Sequence, residues 1–319
     1  MPSTRAHIVS VGTAVPDRVL TNEDLEKILD TSDEWITTRT GIKRRHVLDK
    51  GDPTTASELG ARAASRALAG AGLAPGDIDG IICATFTPDY FFPSTACLIG
   101  RHLGIHDVCA FDISAACAGF VYGLSLANAL VLSGQCAKVL VVGAEIISKT
   151  LDWNDRSTAI LFGDGAGAVV VAAHEQPDTG ILGTYLSSDG RLSDILTMPA
   201  WGERRCMTMK GSEVFKHAVR LMGDAVFKAL DAAGLDHGAI DLLIPHQANA
   251  RIISSLAEHF AVPREKVVTN LQEYGNTSSA SIPLALQDAF NDGRITGGTL
   301  VALTSLGGGL ACASAIIRF

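Results

Sequence analysis

Two stretches of this 319-residue chain repeat each other: AGLAPGDIDGII at 71–82 returns as AGLDHGAIDLLI at 233–244, a constant offset of 162. In each copy a helical pattern stops at a glycine, Gly72 or Gly234, and an apolar run follows, as when a glycine-capped helix enters a buried strand. The closing segments match as well. KVLVVGAE with GDGAGAVVVAA, within 138–173, and TLVALTSLGGGLACASAIIRF, at 299–319, both read strand, glycine turn, strand. Such a chain is expected to build two similar halves, here 1–173 and 174–319. Strands that alternate with helices predict an α/β architecture, with mixed or parallel sheets covered by helices.

Two helices are clearly marked. One opens at Thr55, whose hydroxyl pairs with Glu58 in a capping box, and runs to 71; the other spans 212–233 and stops at Gly234. The run CAGFVYGLSLANALVLSG, at 117–134, carries no charge on any face, so this helix is expected to be buried at the centre of the molecule. No charge falls between Arg294 and Arg318 either. There, Gly307, Gly308 and Gly309 divide the stretch into two buried strands rather than a bilayer span.

With 47% hydrophobic and only 19% charged residues, much of the chain must be covered, inside the subunit or between subunits, and disorder is excluded. A net charge of −8 argues against general nucleic-acid binding, which needs a cationic surface to displace counterions. An anionic partner would have to meet a local cluster: Lys43, Arg44 and Arg45, or Arg204, Arg205, Lys210, Lys216 and Arg220. Solvated faces look the same in sequence. The amino terminus lacks the anatomy of a secretion signal. Seven cysteines without a CxxC pair point to reduced thiols in the cytoplasm, with neither a disulfide framework nor a zinc site. No metal, nicotinamide or flavin site is visible.

Three residues stand where chemistry could be done. Cys117, in AFDISAACAGF, follows a β-like run through small residues into the uncharged helix. A thiol at a helix start faces unpaired N–H groups and the positive end of the macrodipole, which favour the thiolate. His246 follows the apolar run 241–244 and opens PHQANARII; ligands gather outside the carboxyl ends of such strands. Asn276, in the turn-rich YGNTSSASIP, offers an uncharged donor to an oxyanion, although asparagine in a turn often serves only the local backbone. The glycines at 307–309 add backbone N–H groups on an unobstructed loop. GDGAG at 163–167 leads into a strand, not a helix, and so reads as a tight turn rather than a phosphate loop.

The order Cys, His, Asn also suits a thiol hydrolase. Cys117 and His246 are 129 residues apart, close to the roughly 130–150 of papain-like enzymes. ACAGF lacks their CGSCW setting, but spacing alone leaves that alternative open.

Seven motifs, in one order along nearly the whole chain, resemble the β-ketoacyl-acyl carrier protein synthases III of the thiolase superfamily. They are TSDEWITTRTGIKRRH (31–46), FPSTAC (92–97), AACAGF (115–120), DRSTAILFGDGAGA (155–168), GSEVFKHAV (211–219), PHQANARII (245–253) and GNTSSAS (275–281). The resemblance implies a duplicated, thiolase-like αβαβα layered fold and a homodimer that starts fatty-acid synthesis without a cofactor. Cys117 would take an acyl group from acyl-CoA, and malonyl-acyl carrier protein would lose CO₂ and attack the thioester, leaving a 3-oxoacyl chain on the carrier. His246 and Asn276 would donate hydrogen bonds to the enolate, and the N–H groups of Cys117 and Gly308 would form the oxyanion hole for the acyl group.

The same resemblance puts the adenine of CoA against Trp35 and Arg156, with Thr31, Arg39, Gly211 and Asn249 along its channel. Lys216 and Arg251 would meet the acidic carrier protein. Phe92 would reach across the dimer to limit the acyl pocket, which implies acetyl or propionyl starters. The chain departs from the family at two places: Glu258 and His259 stand where a pair of lysines occurs, and Leu306 where many members have phenylalanine. Two further alternatives are a paralogous condensing enzyme with another starter or acceptor and a noncatalytic acyl-carrier binder.

Overall fold

The computed structural model describes residues 5–176, 178–202 and 205–319; Arg204 of the second basic cluster lies outside them. Among the described residues, the first sheet contains β1 (Arg5–Ala14), β2 (Gly80–Ala84), β3 (Cys109–Ile113), β4 (Lys138–Glu145) and β5 (Gly165–His174), in the order β1-β5-β4-β2-β3. β2 runs parallel to β3 and β4, while β5 runs antiparallel to β1 and β4. The second sheet contains β6 (Gly180–Ser188), β7 (Leu242–Pro245), β8 (Leu300–Gly307) and β9 (Ala311–Arg318), in the order β7-β8-β9-β6. β7 is parallel to β8, and β9 is antiparallel to β8 and β6. Order and sense reproduce β2-β4-β5-β1. Where β3 would stand, the second sheet has, among the described residues, only a parallel bridge between Leu243 and Val267.

Seven helices matter for the core and the site: α1 (Asp33–Thr40), α2 (Ala56–Ala71), α3 (Thr95–Leu103), α4 (Gly119–Leu132), α5 (Gly211–Ala233), α6 (Ala250–His259) and α7 (Ser281–Asn291). α2 and α3 pack on the first sheet, α4 and α7 touch strands of both sheets, and α5, backed by α6, packs on the second. This is the αβαβα layering expected from the resemblance. Alternation along single strands builds it. Val139 and Val141 of β4 join the central core with α4 and α7, while Leu140 and Val142 join the core under α2 and α3. A strand buried on both faces needs such a continuous apolar run.

The repeated segment has the same local physics in both copies. Thr55 caps α2 with Glu58 as expected, and α2 and α5 end at Gly72 and Gly234 with φ of 66° and 68°. Leu73 N–H then donates to Leu68 O, and Leu235 N–H to Leu230 O, each at 3.0 Å. Only glycine adopts that left-handed conformation cheaply.

The uncharged helix departs from expectation in two ways. It starts at Gly119, after a 3₁₀ turn at Ala116–Ala118. It is also not covered all round: Phe120, Val121 and Leu124 are buried, but Leu132 is 50% exposed, so one edge reaches the surface of a single chain. Among the described residues no helix is long and apolar enough to cross a membrane. All seven cysteines are free thiols.

Candidate active site

The carboxyl ends of β3, β7 and β8 run directly into the segments that carry Cys117, His246 and Gly308, and those three residues line one cavity of about 710 Å³ together with Asn276. Residues far apart in sequence are thus brought to one place by strand ends, the usual location of sites in α/β folds.

Cys117 sits in a tight turn whose preceding residue, Ala116, has φ of +45°. The turn is fastened to β8: Ser305 Oγ donates to Cys117 O at 2.7 Å. β8 passes so close that a Cβ on Gly307 would lie 2.6 Å from Ala115 O and 2.8 Å from Cys117 N, so only glycine fits there. Burial pushes the Cys117 thiol up to about 12. Cys117 thus lies in the 3₁₀ turn that leads straight into α4, and burial acts on its thiol against the lowering expected at a helix start.

His246 is also buried, which pushes its imidazole down to about 3 and keeps it neutral. Its Nδ1 lies 2.6 Å from Ser281 Oγ, an oxygen that also accepts from Gln247 N–H at 3.4 Å. The serine proton has no other acceptor among the described residues, so it is donated to Nδ1, and Nε2 carries the ring proton. Asn276 is oriented just as firmly. Its Oδ1 accepts from Ser278 N–H at 2.9 Å, and its backbone is bracketed by Leu161 O at 2.8 Å and Gly163 N at 3.1 Å. With the oxygen occupied, the Nδ2 amide is the group left to donate into the cavity. The cavity thus holds a thiol and two neutral hydrogen-bond donors, a set suited to a developing oxyanion.

The cavity mouth contains Trp35, Arg39, Gly211, Asn249 and Arg251. Trp35 is flanked by Arg39 and Arg156, whose guanidinium carbons lie 4.8 and 4.6 Å from its ring centroid. Arg156 Nη1 also donates to Asp30 O at 2.6 Å. The Trp35–Arg156 pair is closed on itself, without space for a base between the two planes. Asn249 is partly committed: Oδ1 caps α6 by accepting from Arg251 N–H at 2.9 Å, and Nδ2 donates to Arg39 O at 3.1 Å. Leu306 lines the cavity, and Lys216 is exposed on α5. Three expected residues are not among those lining it: Thr31, Arg156 and Phe92. Phe92 is 87% exposed, beside exposed Tyr90 and Phe91.

Sequence reasoning missed most of the apolar wall. Phe86, Phe162 and four of the chain's five methionines, Met198, Met207, Met209 and Met222, line the cavity. Three methionines clustered between 198 and 209 were the available signal, since flexible thioethers suit an adaptable pocket. Buried Glu145, at the end of β4, had no local signal at all.

The fold and this site define an enzyme of the thiolase-like condensing class. A crystal structure of 3-oxoacyl-[acyl-carrier-protein] synthase III from Aquifex aeolicus superposes with a TM-score of 0.94 at 48% identity, over 98% of this chain and 100% of that one. The priming β-ketosynthase of the R1128 polyketide pathway superposes at 0.93 with 36% identity, over 100% of this chain and 98% of that one. β-Ketoacyl-[acyl-carrier-protein] synthase III of Thioalkalivibrio sulfidiphilus is 48% identical over 99% of this chain and 100% of its own length. Family models for 3-oxoacyl-[acyl-carrier-protein] synthase III and for its C-terminal part match residues 111–190 and 230–319. The chain belongs to the 3-oxoacyl-[acyl-carrier-protein] synthase III family.

Proposed function

We propose that the protein condenses a short acyl-CoA starter with malonyl-acyl carrier protein, with loss of CO₂, to give 3-oxoacyl-acyl carrier protein and so initiate type II fatty-acid synthesis. The observation that carries this reading is the meeting of Cys117, His246, Asn276 and Gly308 in one cavity whose mouth holds Trp35 and two arginines. Half 1–173 supplies the nucleophile and half 174–319 the histidine and asparagine. Cys117 is acylated first, which divides the reaction into two half-reactions with ping-pong kinetics. The N–H groups of Cys117 and Gly308 receive the acyl oxyanion. In the second half-reaction His246 Nε2–H and Asn276 Nδ2–H donate to the malonyl enolate; loss of one such donor costs about 2.7–4 kcal/mol of barrier in a comparable site.

Coenzyme A enters past Trp35 and Arg156, with Thr31, Arg39, Gly211 and Asn249 beside its path, and Lys216 and Arg251 attract the acidic carrier. A weaker salt dependence of carrier binding in Arg251→Ala is expected; an unchanged slope removes Arg251 from the interface. The working unit is a cytoplasmic homodimer in which Phe92 enters the partner's acyl pocket. Support comes from the unpaired edge of β3 and the exposed Tyr90, Phe91 and Phe92. Acetyl-CoA should then acylate Cys117 faster than octanoyl-CoA.

Purified protein given acetyl-CoA and malonyl-acyl carrier protein should release CO₂ and form the 3-oxobutyryl product. Acylation without condensation would instead point to a thiol hydrolase or an acyl binder. A second reading, a priming synthase of a specialised pathway, is favoured by the similarity to the polyketide enzyme. Mass spectrometry of Cys117 after exposure to a panel of acyl-CoAs separates the two.

A further inference from the structure

Glu145, the last residue of β4, is fully buried, and among the described residues none of its hydrogen-bond partners carries a charge. A carboxyl group without a counter-charge is costly to bury unless several donors serve its oxygens. Three of those donors come from consecutive residues. Thr85 Oγ1 at 3.2 Å, Phe86 N at 3.2 Å and Thr87 Oγ1 at 2.8 Å all converge on Oε2. Thr87 Oγ1 in turn accepts from Ile146 N–H at 2.9 Å, so segment 85–87 is fastened to the end of β4 in both directions. On the other side Ser279 Oγ lies 2.9 Å from Oε1 and equally near Ala84 O, which joins the turn before α7 to the same knot.

Of the three residues held by Oε2, only Phe86 lines the cavity that contains Cys117. Its segment runs beside the nucleophile's: Thr85 N–H donates to Ile113 O at 3.3 Å, directly before Ser114, which also lines the cavity. The end of β2 abuts the start of α4 as well, since a Cβ on Gly119 would lie 2.9 Å from Ala84 Cβ. Behind Phe86 is core rather than solvent. It packs with buried Ile147 and Leu151, which do not line the cavity, and with Phe162, Leu196 and Met207, which do. Leu196 carries this apolar wall to the oxyanion donor, because a Cβ on Gly308 would lie 2.9 Å from Leu196 O. The charged lining residues, Arg39 and Arg251, are at the mouth. A hydrocarbon chain carried on the sulfur therefore gains most by lying along the Phe86 wall.

We propose that Phe86, fixed in place by Glu145, limits from within the same subunit the length of the acyl group that Cys117 accepts. This rests on the reading of Cys117 as the acylated nucleophile. The Phe86 ring fills space into which further methylene groups would extend. Its backbone cannot shift to let them pass, because its own N–H and both neighbouring hydroxyls are bound to one carboxylate oxygen. Phe86 determines specificity, and Glu145, which touches no substrate, is its positioning residue. This limit acts in cis, unlike the limit assigned to Phe92 of a second copy.

The test is the loading of Cys117 by two homologous series, read by mass spectrometry of its peptide. One is acyl-CoAs from acetyl to octanoyl. The other is alkyl methanethiosulfonates from methyl to octyl, which reach the sulfur without recognition of coenzyme A: the Cys117 sulfur bonds to the alkylthio sulfur, methanesulfinate leaves with the electron pair, and the thiol proton goes to solvent. In the unmodified protein both series should fall away beyond their short members. In Phe86→Ala the hexanoyl-to-acetyl and hexyl-to-methyl ratios should rise roughly ten- to two-hundredfold, the discrimination one methylene commands in an apolar pocket. Phe86→Trp should lower the butyryl-to-acetyl and butyl-to-methyl ratios. Glu145→Gln puts a donor where one acceptor oxygen stood, so segment 85–87 loosens and the hexanoyl-to-acetyl ratio should rise, by less than in Phe86→Ala.

Ratios unchanged in both Phe86 variants would overturn the proposal. So would a rise in Phe92→Ala with none in Phe86→Ala, which would give the limit to the partner subunit. Equal slowing of every chain length in Glu145→Gln would strike out its positioning role and leave it a folding residue. The two Phe86 variants change the pocket in opposite directions, so they decide the limit even if Glu145→Gln fails to fold. Failure of every acyl-CoA to load the unmodified protein would count against the proposed function, and the thiosulfonate ratios would still decide whether Phe86 sets the limit.

Discussion

The hydroxyl of Ser305 donates to the carbonyl oxygen of Cys117 at 2.7 Å, across a sequence separation of 188 residues. Both residues are buried, so this bond fastens the nucleophile's turn to the end of β8 from within the core. Ser305→Ala leaves the Cys117 carbonyl unsatisfied and should cost about 1–3 kcal/mol of stability. Thermal unfolding checks this, and acylation should slow as well, because the turn loses its anchor. An unaltered melting temperature would show that the turn is held by other contacts.

The tautomer of His246 gives a second prediction. If Ser281 Oγ–H holds Nδ1, then Ser281→Ala frees the ring to place its proton on either nitrogen. CO₂ release from malonyl-acyl carrier protein by pre-acylated enzyme should fall roughly tenfold, the cost of a misdirected hydrogen bond of about 1.4 kcal/mol. Acylation of Cys117 should change little, and Ser281→Thr should restore the rate. Equal loss in both half-reactions would assign Ser281 to folding.

Two buried groups should shape stability against pH in opposite senses. His246 is pushed from 6.5 down to about 3, so across that window the unfolded chain binds a proton that the folded chain lacks, and stability falls as pH falls. Glu145 is pushed from 4.5 up to about 7, so across that window the folded chain binds the extra proton, and stability falls as pH rises. Their slopes oppose between 4.5 and 6.5 and separate outside it. Melting temperatures of the unmodified protein should therefore rise from about pH 3 to 4.5, stay nearly level to 6.5 and fall towards about 7. Glu145→Gln should turn the plateau between 4.5 and 6.5 into a continued rise, abolish the decline above 6.5 and leave the acid limb in place.

Arg156 should control entry of the cofactor-like substrate rather than its chemistry. Its guanidinium lies 4.6 Å from the Trp35 ring centroid, so a base can enter between them only after the arginine moves. Arg156→Ala removes one of the two stacking partners. KM for acyl-CoA should rise roughly two- to thirtyfold, the range implied by 0.5–2 kcal/mol of cation–π attraction, with kcat for condensation nearly unchanged. A fall in kcat at constant KM would separate Arg156 from substrate binding.

The sequence was most readable where interactions are local. The Thr55–Glu58 box, the glycine caps at Gly72 and Gly234, and the glycine turn between β8 and β9 all involve residues within a few positions of one another. Cys117, His246 and Asn276 were recognisable as types of residue in suitable settings, and the cavity brings all three together. Charge states were not readable. A thiol at a helix start suggested a thiolate, whereas burial by residues from other segments pushes the thiol up. Phe92 shows the same limit, since its setting within a single chain is almost entirely solvent.

The amino-acid order by itself determined the periodicity of the elements, the places where they stop, the duplication and the identities of the reactive groups, because each depends on neighbours along the chain. Tertiary structure alone decided which groups share a cavity, which nitrogen of His246 bears the proton, and that Glu145 is fully buried. Those properties arise from desolvation and from hydrogen bonds between segments far apart in the chain. Only the packing of two sheets around α4 and α7 creates that environment.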